Sequence, residues 1–178
     1  FWAIGRHEGF GGHRVAAREL ATSISDRTIR NDQSFDVIAG SAGYILLLLR
    51  LAEEEELPGV HEVVGRLADH LVATHVDDGG PGWQTLGGDS LPLCGFGHGR
   101  AGIGLALLEA GRALDRPDLR RFAMSVFEAE HGWRGATPAE GWPDYRMLNP
   151  SERSKAPMGA NRWCAGTEGI ALSRAAAL

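Results

Sequence analysis

The chain has 178 residues and carries 18 Lys plus Arg against 23 Asp plus Glu, a net charge of −5. Hydrophobic residues make up 43 % and charged residues 23 %, which excludes a disordered or fibrous protein and leaves room for one domain with a sizeable core. There is no basic face for general nucleic-acid binding, since Lys155 is the single lysine, and the longest apolar run, Tyr44 to Leu49, is far short of the ~20 residues of a membrane span. Two cysteines, Cys94 and Cys164, are too few for a disulfide framework, so a reducing cytoplasm is the expected compartment. The chain opens Phe1-Trp2 without a starting Met and reads as a piece of a longer polypeptide.

In chain order, residues 1–12 are rich in Gly and aromatics and read as irregular, with His7 and His13 given no chemistry. Residues 14–24 suit a helix, and residues 25–34 are polar turn material. An apolar stretch runs from Phe35 to Leu51, and the acidic run of residues 53–56 reads as a solvated helix face, stopped by Leu57-Pro58-Gly59. Val60, Val63, Val64, Leu67 and Leu71 fall on one face of a 3.6-residue period and predict a helix over 60–76 with a single apolar stripe. Residues 77–88 are turns. Helices follow over 100–114 and, with Pro117 at its first position, over 117–129. Residues 132–161 form a long loop, and 167–178 are helical again. No segment alternates with period two, so the fold class is all-α.

Glycine is about 14 % of the chain, roughly twice the usual ~7 %, and it clusters. Three segments share a Gly-x-x-Gly followed by aliphatic residues: Gly40-Ser41-Ala42-Gly43, Gly99-Arg100-Ala101-Gly102 and Gly166-Thr167-Glu168-Gly169. Their spacing, roughly 60–70 residues, fits one helical hairpin plus a loop. The helices after these glycines are apolar on more than one face and predict an inner layer; the Val60 helix predicts an outer one. Alternating inner and outer helices give an α/α toroid or solenoid, with the loops before each Gly-x-x-Gly converging at one end. Those loops bring an acid (Asp36), an imidazole (His98) and a thiol (Cys164) ahead of three equivalent helix starts.

Three ordered motifs, Asp36-Val37-Ile38-x-Gly-x-x-Gly, Gly95-Phe96-x-His98-Gly-x-x-Gly-Ile and Trp163-Cys164-x-Gly-x-x-Gly-Ile, together with Gly141-Trp142-Pro143-Asp144, resemble the lanthionine synthetase C-like cyclases. That family includes the cyclase domain of class II lanthipeptide synthetases. The resemblance runs from about Asp36 to Leu178 and implies that residues 1–178 are a single partial cyclase domain, an incomplete α/α toroid, with 1–34 outside the matched motifs. It also implies a Zn2+ ion, a dehydrated precursor peptide as substrate, and addition of a peptide cysteine thiolate to dehydroalanine or dehydrobutyrine to form a thioether. No nucleic acid and no membrane are implied.

By the same resemblance Cys164 is a metal ligand, the other two ligands (a Cys and a His) belonging to a Cys-His-Gly type motif that would lie beyond Leu178. The chain alone is therefore expected neither to hold zinc well nor to close a ring, and its unpartnered inner helices to associate. His98 is implied as the acid–base group, and Asp36 as its orienting carboxylate or a base. Arg162, near Cys164, would stabilise enolate charge, although its spacing departs from the family pattern. Ala165 stands where some members carry Tyr or His.

Each residue also has a plainer reading: Cys164 as core, His98 as a cap or core histidine, Asp36 as an N-cap. Cys94 reads as packing, while Trp83, Trp133 and Trp142 read either as core or as lining of a peptide channel. A non-catalytic peptide- or thiol-binding module of the same fold is the rival reading. A toroid glycosidase is a further one, which needs paired carboxylates where the chain places only Asp36.

Overall fold

The structure, a computed structural model, describes residues 15, 18, 19, 23–53, 57–159 and 161–178. The irregular lead-in with His7 and His13, most of the helix expected over 14–24 and most of the acidic run at 53–56 lie outside the described residues. The regular structure of the described residues is mostly helical: α1 Asp26–Arg30, α2 Ser41–Ala52, α3 Val60–Thr74, α4 Arg100–Ala113, α5 Pro117–Gly132 and α6 Thr167–Ala177.

Two expectations need correction. Residues 25–34 are not merely turns, because Ser25 accepts a hydrogen bond from the Thr28 N–H and caps α1, whose Ile29 is buried. Strand pairing also exists, as a hairpin of β1 Val76–Asp77 with β2 Pro81–Gly82. Helix α3 accordingly ends at Thr74, where His75 turns extended to enter β1. The loop over 132–161 carries two short 3-10 helices, Pro138–Glu140 and Pro150–Lys155, and one isolated bridge between Pro143 and Met158.

Helices α2, α4 and α6 form the inner layer, with α4 packed between the other two; α3 backs α2 and α5 backs α4. This is an arc of an α/α toroid. Burial follows the sequence pattern. On α3 one stripe is buried, Val60, Val64, Leu67, Ala68 and Leu71, whereas α4 is buried almost all round. Helix α4 tolerates this because it is built from small residues. A Cβ on Gly104 would come within 2.6 Å of the Phe127 ring, and one on Gly111 within 2.8 Å of Arg120. Among the described residues no helix is long and apolar enough to cross a membrane.

The Gly-x-x-Gly repeat has one physical cause in all three copies. The second glycine lies against the backbone carbonyl of the residue six positions earlier. A Cβ would stand 2.3 Å from the Val37 oxygen at Gly43, 1.9 Å from the Phe96 oxygen at Gly102, and 1.9 Å from the Trp163 oxygen at Gly169. The side chain of that earlier residue then covers the next repeat. A Cβ at Gly102 would also meet Val37 Cγ2 at 2.6 Å, and one at Gly169 would meet Phe96 Cβ at 2.8 Å. Each turn is thus folded tightly on its own helix and keyed into its neighbour. Trp163, the third in this series, is 47 % exposed and lies 5.3 Å from the Phe96 ring.

Gly102→Ala should therefore lower stability by about 1–3 kcal/mol through overpacking. Gly132→Ala, where a Cβ meets nothing within 4 Å, should be neutral or gain up to about 1 kcal/mol. Urea unfolding midpoints of the two variants check this.

Candidate functional site

The three loops expected to converge do so, through their backbones. Val37 N–H donates to the Gly97 carbonyl at 3.1 Å, and Gly97 N–H donates to the Cys164 carbonyl at 2.9 Å. Gly97 must lack a side chain here, since a Cβ would come 2.9 Å from the Cys164 Cβ. Gly95, two residues earlier, adopts φ +103° and would clash with Ala165 at 2.5 Å. The Asp36, His98 and Cys164 segments are consequently neighbours in one strip across the ends of α2, α4 and α6.

Asp36 and His98 are in direct contact. The His98 Nδ1–H donates to Asp36 Oδ2 at 2.6 Å. Asp36 is 2 % exposed, while the His98 side chain keeps 29 %. The other carboxylate oxygen of Asp36 accepts the N–H groups of Ile38 at 2.9 Å and Ala39 at 2.8 Å. Asp36 is not the N-cap of a helix; one oxygen braces its own turn while the other holds His98, so each oxygen has its own partners. A carboxylate so occupied orients the imidazole and leaves Nε2 without a hydrogen-bond partner among the described residues. His98 is held from behind as well, its backbone carbonyl accepting from Thr85 Oγ1 at 2.7 Å.

Asp32 fixes the turn that carries Asp36. Its Oδ1 accepts from Ser34 and Phe35 N–H at 2.9 and 3.1 Å, and its Oδ2 accepts from Ser41 N–H and Oγ at 2.7 and 2.6 Å. Between them Phe35 is forced to φ 61°, an unusual conformation for an aromatic residue, directly beside Asp36. Asp32 is thus the side-chain cap of α2, since Gly40 at the formal cap position has none.

The remaining predicted residues fall as follows. Cys164 is half-buried and free. Arg162 is exposed, and among the described residues no hydrogen bond or ion pair ties its guanidinium, so the enolate-stabilising role expected for it gains no geometric support. A different cation, Arg146, pairs with Asp144 through Nη2 at 2.5 Å and Nε at 2.8 Å. That pairing, joined by the charges of Arg146 and Arg162, holds the Asp144 carboxyl below its ordinary range against the effect of its partial burial. Cys94 is packed at 2 % exposure, and burial, reinforced by Glu130, pushes its thiol well above the usual range. None of the three loop tryptophans is free. Trp83 is core and donates to the Leu71 carbonyl, Trp133 stacks against Arg100 with the guanidinium 3.7 Å from its ring, and Trp142 donates to the Glu130 carbonyl at 2.8 Å.

Sequence reasoning passed over Asp32, Thr85, Arg146 and Glu130. For Glu130 a signal existed: it continues the stripe of Leu119, Ala123, Val126 and Phe127 on α5, where a carboxylate is out of place. Thr85 has no local signal, because its partner is the His98 carbonyl in another loop, while Asp32 and Arg146 bond within their own turns, where no periodic pattern marks them.

Zinc was implied by resemblance. Among the described residues no group of three or more His, Cys, Asp or Glu side chains is arranged to hold a metal. Cys164 alone supplies one donor where a structural or catalytic zinc site needs three or four, so the described residues do not make up a zinc site by themselves.

The two thiols should differ in reactivity. Iodoacetamide at pH 8 should modify Cys164 at least about tenfold faster than Cys94, because Cys94 is both inaccessible and held protonated. Peptide mass mapping over a time course measures the ratio.

Comparison with curated proteins gives no match. A protein-family comparison does: residues 15–178 match the family described as Lanthionine synthetase C-like protein. That match spans nearly the whole chain and contains the repeated glycine turns, the Asp36–His98 pair and Cys164, and the helical layers are those of a toroid arc. The chain belongs to the lanthionine synthetase C-like family.

Proposed function

We propose that this chain forms the acid–base wall of a lanthionine-forming cyclase, acting on a dehydrated precursor peptide. The observation that carries the reading is the Asp36–His98 hydrogen bond of 2.6 Å, placed one residue from the Gly97–Cys164 backbone contact. The reaction adds a peptide cysteine across the double bond of dehydroalanine or dehydrobutyrine. The thiol loses its proton, sulfur bonds to the β-carbon, the π pair moves to give an enolate, and a proton returns to the α-carbon. One group that first accepts and then delivers a proton completes the balance.

His98 suits that task. Its Nδ1 is committed to Asp36, so Nε2 takes the thiol proton and later gives it to the α-carbon. Asp36 fixes the tautomer and steadies the imidazolium that forms between the two steps. Its burial and its two backbone N–H partners keep it from wandering to substrate. Cys164 is proposed as one ligand of a zinc ion whose further donors are not among the described residues; zinc supplies stabilisation of a thiolate at neutral pH without redox activity. Arg162 remains a candidate for steadying the enolate oxygen, supported by its nearness in sequence to Cys164 alone.

The test follows the disappearance of alkylatable thiol in a dehydrated precursor peptide incubated with the full-length protein, read by mass spectrometry. His98→Asn and Asp36→Asn should each slow cyclisation by on the order of 10²- to 10⁴-fold. Unchanged rates in both would overturn the assignment. Metal analysis supplies a second prediction: the full-length protein should carry stoichiometric zinc, and Cys164→Ala should lose it.

A further inference from the structure

A fully buried carboxylate lies outside the dyad. Glu130 is 0 % exposed on the buried stripe of α5. Its Oε1 accepts two backbone N–H groups, from Gly95 at 2.9 Å and from Ala101 at 3.1 Å. Its Oε2 accepts from Arg174 Nη2 of α6 at 2.7 Å. Its own backbone carbonyl receives the Trp142 indole N–H. Gly95 and Ala101 bracket the segment whose centre is His98, and α6 is the helix that directly follows Cys164.

Stability does not call for a carboxylate here. Its neighbours on the stripe are Leu119, Ala123, Val126 and Phe127, and replacing a buried ion pair with well-packed apolar groups is often neutral or favourable. Two bonds from one oxygen to both ends of a loop do something packing cannot do, which is to fix the loop's span. We propose that Glu130 is a positioning residue for His98, clamping Gly95 and Ala101 so that the imidazole stays on Asp36 and in register with the Cys164 segment. Glu130 has no contact with the dyad and acts through the loop. The proposal rests on the reading of His98 as the acid–base group.

Three variants test it. Glu130→Gln keeps an acceptor oxygen, Glu130→Met removes it at similar volume, and Glu130→Asp withdraws it by about 1.5 Å, the length of one carbon–carbon bond. Amide hydrogen exchange should show the Gly95 and Ala101 N–H groups protected in the wild type and in Glu130→Gln. In Glu130→Met they should exchange at least about tenfold faster, with the α3 amides unchanged as a control for global stability. The downfield Nδ1 proton of His98 in the hydrogen bond to Asp36 should persist in Glu130→Gln and broaden away in Glu130→Met. In the full-length protein kcat for cyclisation should fall by on the order of 10²-fold in Glu130→Met with KM little changed, the signature of a misplaced reacting group, and recover in Glu130→Gln.

If Glu130→Met does not fold, Glu130→Asp takes its place with the same expectations. Undiminished protection and an intact His98 signal in the variant lacking the acceptor would overturn the proposal. If even the wild type fails to cyclise peptide, the cyclase reading fails while exchange and the His98 proton still decide whether Glu130 sets the loop.

Discussion

Each inner helix begins with its backbone folded back against the loop that feeds it, at a separation that admits no side chain. A Cβ on Gly102 or Gly169 would stand 1.9 Å from a carbonyl oxygen, well inside any tolerable contact. This closeness brings the preceding loop down onto the helix end. It also leaves Val37 and Phe96 free to project across Gly102 and Gly169 of the adjacent repeat. The repeat is therefore a device for stacking loops side by side, and the strip Val37–Gly97–Cys164, joined by two backbone hydrogen bonds, is its product.

On this near-symmetric strip the reactive groups occupy inequivalent places. Counted back from the first glycine of each motif, Asp36 stands four residues before Gly40, Cys164 two before Gly166 and His98 one before Gly99. The same turn thus presents a carboxylate, a thiol and an imidazole at different heights. A symmetric arrangement would set like positions beside like; the offset lets the Asp36 carboxylate reach across to the His98 ring at 2.6 Å. The strain at Phe35, φ 61°, is sustained by Asp32, which binds the Ser34 and Phe35 N–H groups and Ser41, the first residue of α2.

Buried charge supports the strip from beneath. Burial raises the Glu130 carboxyl, and the Arg174 charge together with the Gly95 and Ala101 N–H groups pulls it back. Arg100 is likewise buried, with its Nε on the Pro81 carbonyl at 2.7 Å and its Nη2 on the Asp78 carbonyl at 2.9 Å, and so ties the start of α4 to the β1–β2 hairpin. Such groups cost desolvation that an apolar core would avoid. In return they hold irregular segments in one geometry, which dispersion between apolar side chains does not specify.

The helices α3, α4, α5 and α6 are legible in the sequence because their signals are local: a 3.6-residue stripe, Pro117 at a first turn, Gly-x-x-Gly at a helix start. The motif order also made it legible that the segments carrying Asp36, His98 and Cys164 lie side by side. Helix α1 was not, since its five residues carry one buried side chain and a single cap. The role of Glu130 was not either, although its place on an apolar stripe marked it as odd. What the sequence by itself determined is which residues form helices and which turns must be stripped of side chains. The tertiary structure alone decided which buried carboxylate meets which donor: Asp36 with His98, and Glu130 with Gly95, Ala101 and Arg174. The physical reason is range. Helix propensity and steric exclusion act within a few residues of chain, whereas a buried charge is satisfied only by groups that packing delivers from distant segments.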